Sequence, residues 1–306
     1  MSVNSQIGNQ DSTVASSVKR TPNFFVRWLR LLLKSKTGTF GFIIVFAVIL
    51  VALFAKSLAP HDPKMINPAM MLKPPVWVDG GSSLHILGTD NLGRDILSRI
   101  IYGSQISLAV GISSVAFAGV IGVFVGLVAG YYGGFIDNIL MRLVDSFLAI
   151  PTILFALVFL TIFGPSVPTL IVVLGITNWV QYARLVRGEV LSIKEREFVK
   201  AARSIGVRDC KIILRHLLPN VISPFIVIST LSVATTIILE ASLSFLGLGI
   251  QPPTISWGGI LSDGRDYVAT SWWLATFPGM AITITVLAII FLGDWLRDVL
   301  DPRDNH

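Results

Sequence analysis

Long apolar stretches alternate with short polar segments along most of this sequence. Six stretches approach the roughly 20 apolar residues that a helix needs to cross a bilayer. They lie at about residues 37–55, 106–131, 140–162, 168–183, 221–246 and 274–295. Pro151 lies inside the third, and Asn178 and Gln181 interrupt the fourth. The pattern predicts an all-α polytopic membrane protein with six transmembrane helices.

The composition agrees with a membrane protein. Hydrophobic residues make up 53% of the 306 residues and charged residues only 14%, against about 25% charged in soluble domains. The net charge of +6 does not indicate nucleic-acid binding, because the basic residues flank the apolar stretches, where they orient spans and contact headgroups. The single cysteine, Cys210, excludes an internal disulfide.

The distribution of basic residues predicts the orientation. With the N-terminus inside, the inner segments carry most of the 24 Lys and Arg residues, as the positive-inside rule requires. An even number of spans then places the N- and C-termini in the cytoplasm. The first apolar stretch follows about 36 mostly polar residues, so we expect it to remain as a span and not to be a cleaved signal.

Aromatic and basic residues mix just before the first span. Thr21–Lys36 combines Phe24, Phe25 and Trp28 with several arginines and lysines, a pattern typical of a helix lying in the membrane surface. A basic cytoplasmic flank without defined structure is the alternative. Either interpretation makes residues 1–36 a cytoplasmic tail.

Glycines mark the second span as a packing surface. Gly122, Gly126 and Gly130 recur every fourth residue, so they share one helix face, on which a neighbouring backbone can approach closely. Gly119 lies one turn earlier. We interpret these glycines as residues that allow helices to pack closely. A direct role in transport is the less favoured alternative.

A long outer loop, about residues 56–101, precedes the second span. It contains "HILGTDNLGRDILSR" (His85–Arg99), in which Gly88 and Gly93 favour turns and Asp95 can cap a following helix. The spacing does not fit a calcium loop. His61, His85, His216 and His306 are scattered and predict no metal site.

The motifs of common catalytic sites do not occur in this sequence. It contains no P-loop, HExxH, CxxC or GxSxG motif. Ionisable residues within spans are costly and often functional, and Asp145, Glu240 and Asp294 fall within or at the ends of predicted spans. Glu240, the deepest, either lines a polar pathway or is a hydrogen-bonded packing residue.

The segment Glu197–Asn220 is the most basic part between two spans. Its pattern predicts a helix, a turn at Gly206 and a second short helix that starts at Asp209 and ends at Pro219. Apolar residues in the first helix are Phe198, Ala201, Ala202 and Ile205; those in the second are Ile212, Ile213, Leu217 and Leu218. The segment either inserts into a groove of another protein or rests on headgroups.

The same segment resembles the cytoplasmic signature of permease subunits of binding-protein-dependent ABC importers, EAA-x3-G-x9-I-x-LP. In "KAARSIGVRDCKIILRHLLP" (Lys200–Pro219), the matching positions are Ala201, Ala202, Gly206, Leu218 and Pro219. Lys200 replaces the Glu, and His216 replaces the Ile. The stretches "AGYYGGFIDNILMRLVD" and "ASLSFLGLGIQPPTISWGGIL" are similar to the dipeptide/oligopeptide branch, C-type subunit.

This resemblance implies a type I ABC importer permease fold with three parts: a tail (1–36), a first span with the outer loop (37–105), and a five-helix core (106–306) with a coupling segment at 188–220. It implies that the ATPase contact is made by Lys200, Ala201, Ala202, Gly206, Val207, Arg208, Asp209, Leu218 and Pro219.

The resemblance also implies partners: a second homologous permease subunit, two cytoplasmic ABC ATPase subunits and an extracytoplasmic solute-binding protein, in the bacterial cytoplasmic (inner) membrane. The chain itself is then not an enzyme and binds no cofactor directly, since ATP and magnesium are used by the ATPases. The outer loops, 56–101 and about 247–273, would meet the binding protein, with Trp257, Trp272 and Trp273 serving there or as an interfacial belt.

Di- or oligopeptides are the substrates expected for this branch, and nickel, glutathione, opines or other small solutes are the alternatives. A secondary transporter, an intramembrane enzyme and a passive channel are more remote alternatives. Transport driven by an ion gradient without ATP would indicate a secondary transporter. A chemically altered substrate would indicate an enzyme, and flux without nucleotide would indicate a channel.

Overall fold

The computed structural model of the protein describes residues 31–300, and within that range it is helical without a β-strand. The long helices are α1 (Lys36–Leu53), α3 (Ile96–Tyr132), α6 (Val167–Ile193), α9 (Leu218–Phe245) and α11 (Trp273–Leu300). The short ones are α2 (Ala55–Leu58), α4 (Gly134–Leu148), α5 (Thr152–Phe163), α7 (Glu197–Ser204), α8 (Asp209–Ile212) and α10 (Trp257–Gly264). Single 3₁₀ turns form at Pro68–Met70 and Arg265–Tyr267, and a π-helical turn at Ile213–Leu217.

The count of membrane spans agrees with the prediction. Five helices, those containing α1, α3, α6, α9 and α11, are long and apolar enough to cross a bilayer. The pair α4 and α5 passes the same test together, which makes six spans if the pair is one. The fold class predicted from the sequence is therefore confirmed.

The third predicted span is not one straight helix. Helix α4 ends at Leu148, α5 begins at Thr152, and the two are bent by 83°. Pro151 lies at the break, where it precedes the first residue of α5. A proline favours such a break because it lacks the N–H and its ring clashes with the preceding turn.

Two spans are longer than their apolar stretches indicate. Helix α3 starts at Ile96, about ten residues before the predicted boundary, because the Asp95 side chain accepts from Ser98 N and caps it. Helix α6 continues to Ile193. The prediction of a surface helix over Thr21–Lys36 falls mostly outside the described residues; within them, residues 31–34 are helical and Ser35 caps α1.

The glycine face of α3 packs against α6, as predicted. A Cβ atom placed on Gly122 would lie 2.5 Å from the carbonyl oxygen of Trp179, and one on Gly126 would lie 2.7 Å from that of Ala183. Only glycine permits this separation. In the same way, Gly41 of α1 approaches the backbone of α11.

Buried ion pairs join the outer loop to α10. The fully buried carboxylate of Asp90 accepts from Arg94 Nε at 2.6 Å and from Arg99 Nη1. Both arginines also donate to Asp263 Oδ2, at 3.1 and 2.9 Å. Trp273 Nε1 adds a hydrogen bond to the carbonyl oxygen of Thr89 at 3.1 Å. The outer loop is therefore fixed to the helical core through charges.

Candidate functional site

The chain between α6 and α9 folds as a helix, a glycine turn and a second helix, as the sequence predicted. Helix α7 ends in a Schellman motif: Val207 N donates to the carbonyl oxygen of Ala202 at 3.1 Å, and Gly206 N to that of Arg203 at 3.0 Å. Gly206 adopts φ +78°, a conformation that favours glycine. The position of the turn can therefore be predicted from a single residue, Gly206.

One face of this segment is part of the protein's own core. Val199 and Ala202 of α7 and Ile212 of α8 are buried in a cluster with Leu127 of α3 and Val190 of α6. Leu217 and Val221 complete the cluster from the following turn. The segment is therefore packed against two long spans.

Polar contacts fix the segment to the end of α3. The Tyr131 hydroxyl donates to Asp209 Oδ1, and the guanidinium of Arg203 lies 5.3 Å from the centre of the Tyr131 ring. Lys194 Nζ donates to the carbonyl oxygen of Gly130 at 2.9 Å. Sequence reasoning did not identify Tyr131, Arg203 or Lys194 in this role, because their contacts span α3 and the loop after α6.

A neighbouring face of α7 is exposed and apolar. Phe198, Ala201 and Ile205 follow one another at intervals of three and four residues, so they share a face, and Ile205 is 80% exposed. An exposed apolar stripe in this position can meet either a partner protein or the lipid headgroups. We call Phe198, Ala201 and Ile205 the exposed α7 face.

A group of basic residues, which we call the basic rim, follows the exposed α7 face along the chain. Arg208, Lys211 and Arg215 line a shallow surface pocket together with Cys210, Leu214 and Pro219. Within the described segment, the thiol of Cys210 is exposed. An apolar patch followed by basic residues is complementary to a groove with an acidic edge.

Lys200 points away from the core and pairs within its own chain. Its Nζ lies 3.0 Å from Glu195 Oε2, and both side chains are largely exposed. The hydrogen bond from Lys200 lowers the pKa of the Glu195 carboxyl. Lys200 is therefore accessible to a partner, with its charge partly balanced by Glu195.

The second helix does not end at Pro219, in contrast to the prediction. The chain stays helical from Asp209 to Phe245, and Pro219 lies in the first turn of α9. The π-helical turn Ile213–Leu217 precedes it, and a wider turn removes the need for the hydrogen bond that proline cannot donate. The Asn220 side chain donates to the carbonyl oxygen of His216 at 2.6 Å.

Glu240 lies inside the chain's own packing. It is fully buried, and its Oε1 accepts from the hydroxyls of Ser244 and Ser256 at 2.8 and 2.9 Å. It joins α9 to the cap of α10, and it does not line the large groove of the molecule. Its Oε2 is buried and has no hydrogen-bond partner among residues 31–300, so only one of the two carboxylate oxygens is hydrogen-bonded.

Of the three tryptophans predicted to serve at the outer face, Trp257 and Trp273 are buried and Trp272 is exposed. The Nε1 atoms of Trp257 and Trp273 donate to the carbonyl oxygens of Ile100 and Thr89. Trp257 and Trp273 therefore fix the loops in place, and Trp272 is accessible to a binding protein or to the membrane interface, as is Trp77 of the outer loop.

A large apolar groove runs between α1, α3, α9 and α11. Its volume is about 810 Å³. Exposed side chains from α3 and α9 line it, among them Ile112, Val120, Phe124, Ile222 and Ile226. A groove so apolar is a surface for lipid or for another apolar protein.

Comparison with known proteins assigns the family. Residues 122–305 match the profile described as binding-protein-dependent transport system inner membrane component, and residues 23–75 match the N-terminal TM domain of oligopeptide transport permease C. The chain belongs to this family of ABC importer permeases. It is thus a multi-pass membrane subunit and not an enzyme, since ATP hydrolysis belongs to a separate subunit.

Curated relatives cover most of this permease. The di/tripeptide transport system permease protein DppC of Pseudomonas aeruginosa is 40% identical over 86% of this chain and 87% of that protein. The dipeptide permease protein DppC of Escherichia coli is 41% identical over 88% and 90%. The glutathione transport system permease protein GsiD of Pectobacterium atrosepticum is 42% identical over 93% and 92%.

A solved structure shows the same fold. A chain of the inward-facing MetNI methionine ABC transporter superposes with a TM-score of 0.55, at 22% identity, over 66% of this permease and 96% of that chain. About a third of the permease lies outside the superposed region. The likeness supports the helical arrangement and is too distant to support a substrate.

The nine residues predicted to contact an ATPase separate into two groups in this permease. Ala202 is buried and Val207 and Leu218 are half-buried against the core of the chain, so they shape the segment from within. The exposed members are Lys200, Ala201, Gly206, Arg208, Asp209 and Pro219. Phe198 and Ile205, which the sequence analysis named as apolar positions of the first helix but not among those nine residues, are exposed as well.

Proposed function

We propose that this permease forms half of the membrane pathway of an ATP-driven, binding-protein-dependent importer of di- or oligopeptides. The names of the most similar relatives support a peptide substrate, since several of them are dipeptide or di/tripeptide permeases. The alternative is a related small solute, and the glutathione permease relative favours glutathione in particular.

The observation that carries the proposal is the division of the coupling segment, residues 188–220, into two faces. Its inner face packs on α3 and α6. Its outer face exposes Phe198, Ala201 and Ile205, and the basic rim follows them along the chain. A rigid element with one face in the spans and one face free can transmit the closure of an ATPase dimer to the pathway.

A second permease subunit fits the apolar groove between α1, α3, α9 and α11. Val120 and Phe124 are 73% and 68% exposed there. Two homologous chains that cover each other's apolar faces would enclose a pathway between them. We propose a heterodimer with a homologous permease, two ATPase subunits on the cytoplasmic side and a solute-binding protein on the outer loops, in the bacterial inner membrane with both termini in the cytoplasm.

Cys210 allows a direct test of the ATPase contact. It is the single cysteine of the sequence and is exposed in the coupling segment. We expect a thiol-directed photo-crosslinker on Cys210, in the purified complex, to join this chain to a P-loop ATPase identified by mass spectrometry. We expect the yield to change with ATP, because nucleotide closes the ATPase dimer.

A matched variant controls this experiment. Cys210→Ser removes the label, and Val268→Cys on that background places it on a predicted outer loop, where Val268 is 53% exposed. Val268→Cys should give no ATPase product. Absence of an ATPase product from Cys210, or an equal product from Val268→Cys, would contradict the proposed coupling segment.

The exposed α7 face provides a second test. Ile205→Asp should lower ATPase co-purification by about tenfold or more, as expected for an apolar anchor at an interface. The fold should be unaffected because Ile205 is exposed in the isolated chain. Unchanged co-purification would place the ATPase contact elsewhere.

The substrate class is tested on the complete importer. ATP hydrolysis by the reconstituted complex should rise when its binding protein carries dipeptides. Stimulation by glutathione but not by dipeptides would select the alternative, and stimulation by neither would exclude both. An ion-gradient-driven flux without ATP would instead support a secondary transporter.

A further inference from the structure

Two histidines and an aspartate that are distant in the sequence meet at the base of the outer loop. His85 Nδ1 lies 3.0 Å from Asp95 Oδ1, and His61 Nδ1 lies 3.8 Å from Asp95 Oδ2. One ligand atom from each residue falls within 4.8 Å of the other two. The sequence predicted no metal site because its histidines are scattered, and this grouping arises only from the fold.

The cluster is well enclosed. The Asp95 side chain is 1% exposed, that of His85 10% and that of His61 33%. The Nδ1 atom of His61 is buried and has no hydrogen-bond partner among residues 31–300. A buried nitrogen without a partner is costly, and a bound ion would satisfy it.

The neighbouring contacts hold the three residues in place. Asp95 Oδ2 accepts from Ser98 N and from Ser98 Oγ, at 2.8 and 2.7 Å. Ser98 Oγ in turn accepts from the backbone N of His61 at 3.0 Å. The two imidazole rings are tilted against each other, with 4.7 Å between their centres and 38° between their planes. Such outer contacts orient metal ligands.

We propose that His61, His85 and Asp95 form a binding site for a first-row transition-metal ion, with Zn²⁺ as the best match. Zinc binds imidazole nitrogen and carboxylate oxygen at about 2.0–2.2 Å, so its ligand atoms lie roughly 3–4 Å apart. The distances from His85 Nδ1 to Asp95 Oδ1, 3.0 Å, and from His61 Nδ1 to Asp95 Oδ2, 3.8 Å, are in that range, each to a different oxygen of the carboxylate. Imidazole ligands disfavour Mg²⁺ and Ca²⁺, which prefer oxygen.

Binding requires the Nδ1 atom of His85 to be free of a proton. In the absence of an ion, His85 Nδ1 and Asp95 Oδ1 share a hydrogen bond; for both atoms to ligate, the proton between them must move to Nε2 of the same ring or to water. The ion replaces that proton between the same two atoms and adds the unpartnered His61 Nδ1. A fourth position stays open to water or to a ligand from a partner.

A bound ion would cross-link the outer loop to the start of α3. His61 follows α2 at the start of the loop, His85 lies near its end, and Asp95 caps α3. An ion that binds all three closes the loop on the span. Its effect is on the loop that we assign to the binding protein, and the site itself does not depend on that assignment.

The first experiment measures metal content. The full-length chain, carrying a tag without histidine, is stripped with EDTA, dialysed against Zn²⁺ and analysed by elemental mass spectrometry. We expect one zinc per chain for the wild type and for the control His216→Gln, which removes a histidine outside the cluster. His61→Gln and His85→Gln should lower zinc affinity by more than the roughly 10–100-fold that loss of an outer contact costs.

A second measurement uses the wild-type chain, so it does not require the variants to fold. Co²⁺ added to the stripped wild-type chain should give the intense visible absorption of a four-coordinate site, and Zn²⁺ should abolish it. No absorption, or zinc bound equally by the wild type and both cluster variants, would overturn the proposal and leave a hydrogen-bonded histidine–aspartate pair.

Discussion

At the residue scale, Gly206 determines the shape of the coupling segment. Its φ of +78° is accessible to glycine and costs other residues about 1–2 kcal/mol. A Cβ atom at this position would meet no neighbour within 4 Å, so the cost would be backbone strain alone. The angle between α7 and α8, and with it the exposed α7 face, depends on this one residue.

We predict that Gly206→Pro abolishes transport while membrane insertion is retained. Proline fixes φ near −65° and removes the N–H that donates to Arg203. Gly206→Ala should reduce uptake less. Uptake rate and membrane yield measure the two effects.

The control for this prediction is Gly279→Ala. Gly279 lies in α11, outside the coupling segment, with open space around its Cβ position and without a positive φ, so this variant should transport normally. Normal uptake by Gly206→Pro would refute the role of the turn.

Lys200 allows a prediction about charge. Lys200→Glu removes the ion pair with Glu195 and places two carboxylates together on the exposed surface. Because exposed pairs contribute little to stability, the melting temperature should hardly change. ATPase association should change, in the direction set by the charge of the partner's groove. Co-purification measures this, and unchanged association would place Lys200 outside the contact.

At the element scale, the glycine face of α3 sets its distance from α6. Gly122, Gly126 and Gly130 each lie against the backbone or a β-branched side chain of α6. The buried ends of both helices also carry the coupling segment. A change in the separation of α3 and α6 should therefore reach the segment.

We predict that Gly126→Ala destabilises the permease by about 1–3 kcal/mol, the usual cost of overpacking. The added Cβ would lie 2.7 Å from both the carbonyl oxygen of Ala183 and the Cβ of Val186. Thermal unfolding in detergent measures the loss. Gly279→Ala in α11, where the chain leaves open space, is the matched control and should not be destabilised. Equal stability of the two variants would exclude tight packing at Gly126.

At the scale of the whole molecule, buried charges connect the outer loop, α3 and the α9–α10 region. Asp90 is buried between two arginines, which are shared with Asp263. Removing one partner of such a network leaves uncompensated charge in the interior. The network therefore holds the outer surface in one arrangement.

We predict that Asp90→Asn lowers the free energy of unfolding by about 3–5 kcal/mol, because Arg94 and Arg99 lose their buried counter-ion. Asp266→Asn alters an exposed carboxylate and should stay within about 0.5 kcal/mol of the wild type. Denaturant unfolding of the purified chain measures both. A small effect of Asp90→Asn would mean that Asp263 alone balances the two arginines.

Local sequence signals determined much of this protein. Apolar length fixed the spans, since a helix must be about 20 residues long to cross a bilayer. Gly206 fixed a turn, Asp95 fixed the start of α3, and the spacing of Gly122, Gly126 and Gly130 fixed a packing face. Each signal acts through a residue's own backbone or through neighbours within one helix, so it can be read without the fold.

Only the tertiary structure decided which residues face one another. It buried Ala202 and exposed Ala201, paired Tyr131 with Asp209, enclosed Glu240 among serines, and brought His61 to His85 and Asp95. It also bent the third apolar stretch by 83° and continued the helix through Pro219. These outcomes depend on contacts between segments far apart in the chain, whose energies no local pattern contains.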